Sequence, residues 1–216
     1  MSKELEPPDH GTPTTEGGTG SRGDCVFNNN KPPLTRLAGE GRSRLTTNNY
    51  PTFWVYVPYT SKDSSSGEFS LHDGEDEVYR TQFPLSAKPG IIGVVLPQKA
   101  ASLQIGKTYR WYFDINCPVT NATAEATPAS VTGIVQRVAV SEKLAQALKS
   151  ANSPLEKVAA YAEQGIWYDM LTELASLRLS EPQNKDFQTV WLHLLTDPAI
   201  GLKQIAEAEL IGILNK

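Results

Sequence analysis

Cys25 and Cys117 are the chain's only cysteines, and two chemistries are open to them. Oxidised, they tie the segment before Cys25 to the strand ending at Cys117. That closes a long loop, worth roughly 3–5 kcal/mol in the chain-entropy picture. Such a bridge implies an oxidising compartment, periplasm or exterior. Reduced, they are two small buried hydrophobes. The bridge is the expectation carried forward. A redox or metal role is disfavoured, because no C-x-x-C, neighbouring histidine or third ligand accompanies them.

Other reactive side chains are scattered. His10, His72 and His193 fall in an arm, a strand and a helix, and no G-x-S-x-G accompanies them. Asp73, Glu75, Asp76 and Glu77 cluster without the D-x-D-x-D-G order of a calcium loop, which reads as a solvated hairpin tip. Gly39-Glu40-Gly41-Arg42-Ser43-Arg44 is glycine-rich with two arginines but joins no strand to a helix, as a phosphate loop must. Arg22-Gly23-Asp24 is an adhesion tripeptide that arises easily by chance, and Asn121-Ala122-Thr123 fits a glycosylation acceptor. No catalytic, cofactor-binding or metal-ligating residue is expected, and no enzyme.

Bulk composition narrows the classes. The 216 residues are 39% hydrophobic and 20% charged, enough for a core. A net charge of −4 gives no basic field for nucleic acid. No apolar run approaches the ~20 residues of a membrane-spanning helix.

Three stretches follow. Residues 1–24 are rich in Pro, Gly, Thr and Ser, too apolar-poor to offset their ordering entropy, and read as an arm. Residues 25–140 read as an antiparallel β-sandwich. Residues 51–59 are rich in β-branched and aromatic side chains, and Asp73-Gly74 is a turn between extended runs. Residues 107–117 alternate, with Tyr109, Trp111, Phe113, Ile115 and Cys117 on one face. Residues 130–140 supply a last strand. No helix-length segment separates these strands to make parallel crossovers.

Leu103 to Trp111 has the form L-x-x-G-x-x-Y-x-W. In immunoglobulin-like sandwiches a tyrosine at such a corner bonds back to upstream backbone, a role expected of Tyr109 with Gly106 turning the chain.

Residues 141–216 switch to a period near 3.6 and read as a helical subdomain packed on the sandwich. Ser141 is an N-cap, Ser153-Pro154-Leu155-Glu156 a capping box, and Gly165 a C-terminal stop. Helices follow over 166–179 and 186–195, and a last one is expected from Asp197-Pro198 towards Ile205. Residues 155–182 have spacings like one tetratricopeptide hairpin.

If Phe53, Val55 and Val57 point inward, then Trp54, Tyr56, Tyr59 and Tyr112 lie on opposite strand faces. Either the C-terminal helices cover those faces, or aromatic platforms, joined by Trp111, remain for a carbohydrate or small ligand.

The segments 8–13, 18–25, 51–59, 109–113 and Gly165-Ile166-Trp167-Tyr168-Asp169 together resemble the mostly cyanobacterial domain-of-unknown-function family nine-two-eight, from about Pro8 to Leu210. The resemblance implies export, since members typically carry a signal sequence. It carries no catalytic residues. The first residues here are polar, so export implies a leader removed beforehand.

The expectation is therefore an α+β, non-enzymatic, exported interaction or structural protein, periplasmic or extracellular. It binds a protein partner or itself through its sheet edge, through the arm by β-augmentation, or through the hairpin around Trp167 and Tyr168. A carbohydrate module using Trp54, Tyr56 or Tyr112 is the alternative, and an unrecognised hydrolase the third.

Overall fold

The β-branched and aromatic run at 52–57 forms a strand buried at all six positions, because both of its faces are covered. The computed structural model describes residues 30–38, 44–64, 66–117 and 129–214. Cys25, the 1–24 arm with Arg22-Gly23-Asp24, residues 39–43 and Asn121 lie outside the described residues.

Two mixed sheets carry the β portion. The first has four strands in the order β1 (Thr35–Arg36), β3 (Thr52–Val57), β6 (Gly90–Val95) and β9 (Leu210–Leu214). The second has five, in the order β2 (Leu45–Thr46), β8 (Ala129–Arg137), β7 (Thr108–Asn116), β4 (Ser66–Asp73) and β5 (Asp76–Pro84). In β7, Tyr109, Trp111, Phe113 and Ile115 are buried, and the residues between them are exposed or half-buried. The sheets meet through aromatic rings. Phe53 of β3 lies 4.8 Å from Phe69 of β4 and 5.6 Å from Trp111 of β7, between ring centroids.

The sheets are not wholly antiparallel as expected. Each holds one parallel pair, β2 with β8 and β6 with β9. Strands consecutive in the β portion are joined without helices. The helices instead lie inside the long connection that returns the chain to β6.

Four helices follow β8: α1 (Glu142–Ser150), α2 (Pro154–Glu163), α3 (Trp167–Ser180) and α4 (Lys185–Thr196). Side-chain caps start three of them. Ser141 accepts from Leu144 N, Ser153 from Glu156 N, and Asn184 from Asp186 N and Phe187 N. Gly165 (φ +68°) then stops α2 and folds the chain back into α3.

The helix expected from Asp197-Pro198 is not there. Gly201 takes a left-handed φ of +70°, and only a 3-10 turn at Lys203–Ile205 follows. The chain then enters β9, which no local pattern announced. Five apolar residues without alternation fit a strand or a helical turn equally. The helical segment is thus followed by a strand of the first sheet. A Cβ on Gly90 would lie 2.5 Å from the Glu209 carbonyl and 2.7 Å from Ile211 Cγ1, so β9 approaches β6 only over a glycine.

Candidate functional site

The first turn of α3 bonds to distant parts of the chain. Trp167 Nε1 donates to the Leu37 carbonyl at 2.8 Å, just beyond β1. Tyr168 Oη accepts from Trp111 Nε1 at 2.8 Å and donates to the Ile134 carbonyl at 2.9 Å. Its ring meets Phe53 edge-on at 5.6 Å. Asp169 accepts from Thr46 Oγ1 and Thr47 Oγ1, both at 2.6 Å, and from Thr47 N at 3.1 Å. One turn further, Thr172 Oγ1 accepts from Trp54 Nε1 at 3.1 Å. Trp54 projects from the face of β3 opposite Phe53, so α3 straddles that strand.

Burial pushes the Tyr168 phenol up and raises the Asp169 carboxyl, although the bonds from Thr46 and Thr47 pull the latter part of the way back. Both groups have their partners. The first turn of α3 is a clamp between the sheets and the helices.

A cleft of about 90 Å³ opens beside it, lined by Thr46, Asn48, Tyr161, Asp169, Thr172 and Glu173 among others. Ligand sites usually begin near ~300 Å³. This one has room for ordered water, not for a sugar.

The outer face of the five-stranded sheet holds a pair that sequence spacing did not disclose. Ser70 Oγ and His72 Nε2 lie 3.1 Å apart, within nucleophile–base reach. The signal was available: positions i and i+2 of a strand share a face. The setting does not suit catalysis. Ser70 is buried at 3% exposure, and Glu77, opposite His72 in the register, is held by Arg80. Nearby, burial raises the Asp114 carboxyl, Glu68 adds to this, and Ser130 and Arg80 oppose it. No group of three or more His, Cys, Asp or Glu among the described residues is placed to hold a metal.

The residues singled out from sequence are placed as follows. Gly106 takes φ +85°, and Tyr109 Oη accepts from Gln104 N at 3.0 Å, five positions upstream. Cys117 is buried at the end of β7, and no free cysteine occurs among the described residues. Cys25, its expected partner, lies outside the described residues. Trp54, Tyr56, Tyr59, Trp111, Trp167 and Tyr168 are all buried, so their rings offer no open stacking face. Tyr112 alone of the proposed platforms is partly exposed, and His72 meets it edge-on at 5.2 Å.

Sheet edges differ in character. β1 and β2 are two residues long. β5 carries Glu77, Arg80 and Pro84, devices that discourage pairing. β9 carries no charge and no proline, and all five of its residues are half-buried. Its large side chains rest on the core. Among the described residues no strand pairs with its outer side. An edge without charge or proline beside an apolar row is what an added strand requires.

A family model described as Domain of Unknown Function (DUF928) matches residues 17–210. No curated protein matches the chain. No helix among the described residues is long and apolar enough to cross a membrane.

Proposed function

Because the chain belongs to the DUF928 family, whose description names no activity, we propose its function from the site itself: a non-enzymatic, exported interaction protein that docks a strand on β9. The observation that carries this reading is the β9 edge. It is uncharged, half-exposed along its whole length, and backed by β6. Gly90 admits the strand, and α3 ties the helical segment before it to both sheets.

Export is supported by the cysteines. Cys117 is not free, and Cys25 is the chain's one other cysteine, so a bridge between them accounts for both. The finer likenesses belong to the same proposal. The Tyr109 corner supports an immunoglobulin-like sandwich, and the hairpin of α2 and α3 a single tetratricopeptide-like unit.

The test is affinity capture from envelope extracts with the full chain, Ile213→Lys and Gln82→Lys. A lysine on β9 blocks strand addition, whereas Gln82 lies on the already charged β5 edge. Partners lost with Ile213→Lys and retained with Gln82→Lys are expected. The same partners on all three baits would sink the reading.

A further inference from the structure

We infer that the strand β9 receives is β9 of a second copy, antiparallel and centred on Gly212. This rests on the reading of β9 as the docking edge and names its occupant.

The inference comes from the strand's sequence. Leu210-Ile211-Gly212-Ile213-Leu214 reads the same in both directions. A two-fold axis pairs each residue of an antiparallel strand with its mirror position. With Gly212 opposite Gly212, Leu210 faces Leu214 of the second copy and Ile211 faces its Ile213. Aliphatic side chains then meet aliphatic side chains on both faces, and no charge is confronted. A slip of one residue instead sets Leu214 against Glu209, an exposed carboxylate bridged to Lys88. The mirror register is thus favoured over its neighbour on that side.

The glycine suits the axis. Gly212 takes φ +146°, and an added Cβ there would meet nothing within 4 Å. The register of β6 and β9 shifts between Ile91 and Ile92, leaving Ile211 as the extra residue of a bulge. At the axis the two chains cross at a residue without a side chain. The half-burial of every β9 residue leaves apolar side-chain surface for a neighbouring strand to cover.

The experiment is sedimentation velocity of the full chain over a wide concentration range, beside Ile213→Lys and Gln82→Lys, with far-UV circular dichroism on each. A dimer is expected for the unmodified chain and for Gln82→Lys. For Ile213→Lys, dimer affinity should fall at least about tenfold with an unchanged spectrum. Register is read by mixing Leu210→Cys with Leu214→Cys under a short bis-maleimide, with the unmodified chain as background. The mixture should cross-link well beyond either variant alone.

A monomer throughout, or a dimer indifferent to Ile213→Lys, overturns the inference. So does cross-linking of either cysteine variant alone as efficient as that of the mixture. A monomer whose captured partners still depend on Ile213 overturns self-pairing but spares the docking edge. Loss of that dependence as well ends both.

Discussion

Trp111 Nε1 donates to Tyr168 Oη at 2.8 Å, joining the central strand of one sheet to the first turn of a helix 57 positions later. The same hydroxyl donates a hydrogen bond to the Ile134 carbonyl on the neighbouring strand. Both indole and phenol are buried, at 0% and 2% exposure. Tyr168→Phe would therefore strand one buried donor and one acceptor. A loss of about 2–4 kcal/mol is expected in urea unfolding. Trp111→Phe should cost less in the Tyr168→Phe background than alone, because the shared bond is already gone. Strict additivity would deny the coupling.

Gly133 lies under the Trp111 indole, and a Cβ there would run into the ring. Gly133→Ala should destabilise by roughly 1–3 kcal/mol, the usual cost of overpacking a rigid contact. Gly74→Ala, in open space but at φ +64°, should pay only for backbone strain, about 1 kcal/mol. Equal melting temperatures for the two variants would contradict the close approach at Gly133.

Asp169 gives a pH signature of definite sign. Burial raises its folded pKa above the ordinary 3.8, so the folded chain holds this proton more tightly than the unfolded chain. Its contribution is fully present below that ordinary value and is lost as pH rises through the folded pKa. Asp169→Asn removes the titration. The stability of the native chain minus that of Asp169→Asn should fall with rising pH across this interval, measured by urea unfolding at each pH. A difference that is flat or rises would show that the bonds from Thr46 and Thr47 outweigh burial.

The proposed Cys25–Cys117 bridge has its own test. Reductant should lower the stability of the native chain by about 4 kcal/mol on the chain-entropy estimate for a long loop. It should leave Cys117→Ala unaffected. Thiol titration of unreduced protein should find no reactive sulfur, and two reactive thiols would remove the argument for an oxidising compartment.

Period-two alternation made β7 legible, because each inward side chain of 109–115 follows the pleat. Ser141, Ser153 and Gly165 marked helix ends, since capping is local chemistry. The clamp was not legible. Asp169 and Thr46 stand 123 positions apart, and no short-range pattern encodes their meeting. From sequence, Trp167 and Tyr168 are candidate binding residues of the helical hairpin. The structure turns them inward, where an indole and a phenol satisfy buried carbonyls. β9 escaped for a similar reason: its strand character comes from β6, not from its own five residues.

That last pairing has a kinetic meaning. Ile91 sits beside Leu210, so the four-stranded sheet stays unfinished until the last described strand reaches β6. Closing it brings together segments of high contact order, a slow event that leaves β6 uncovered meanwhile. Copies whose β9 segments meet before reaching β6 would be misassembled.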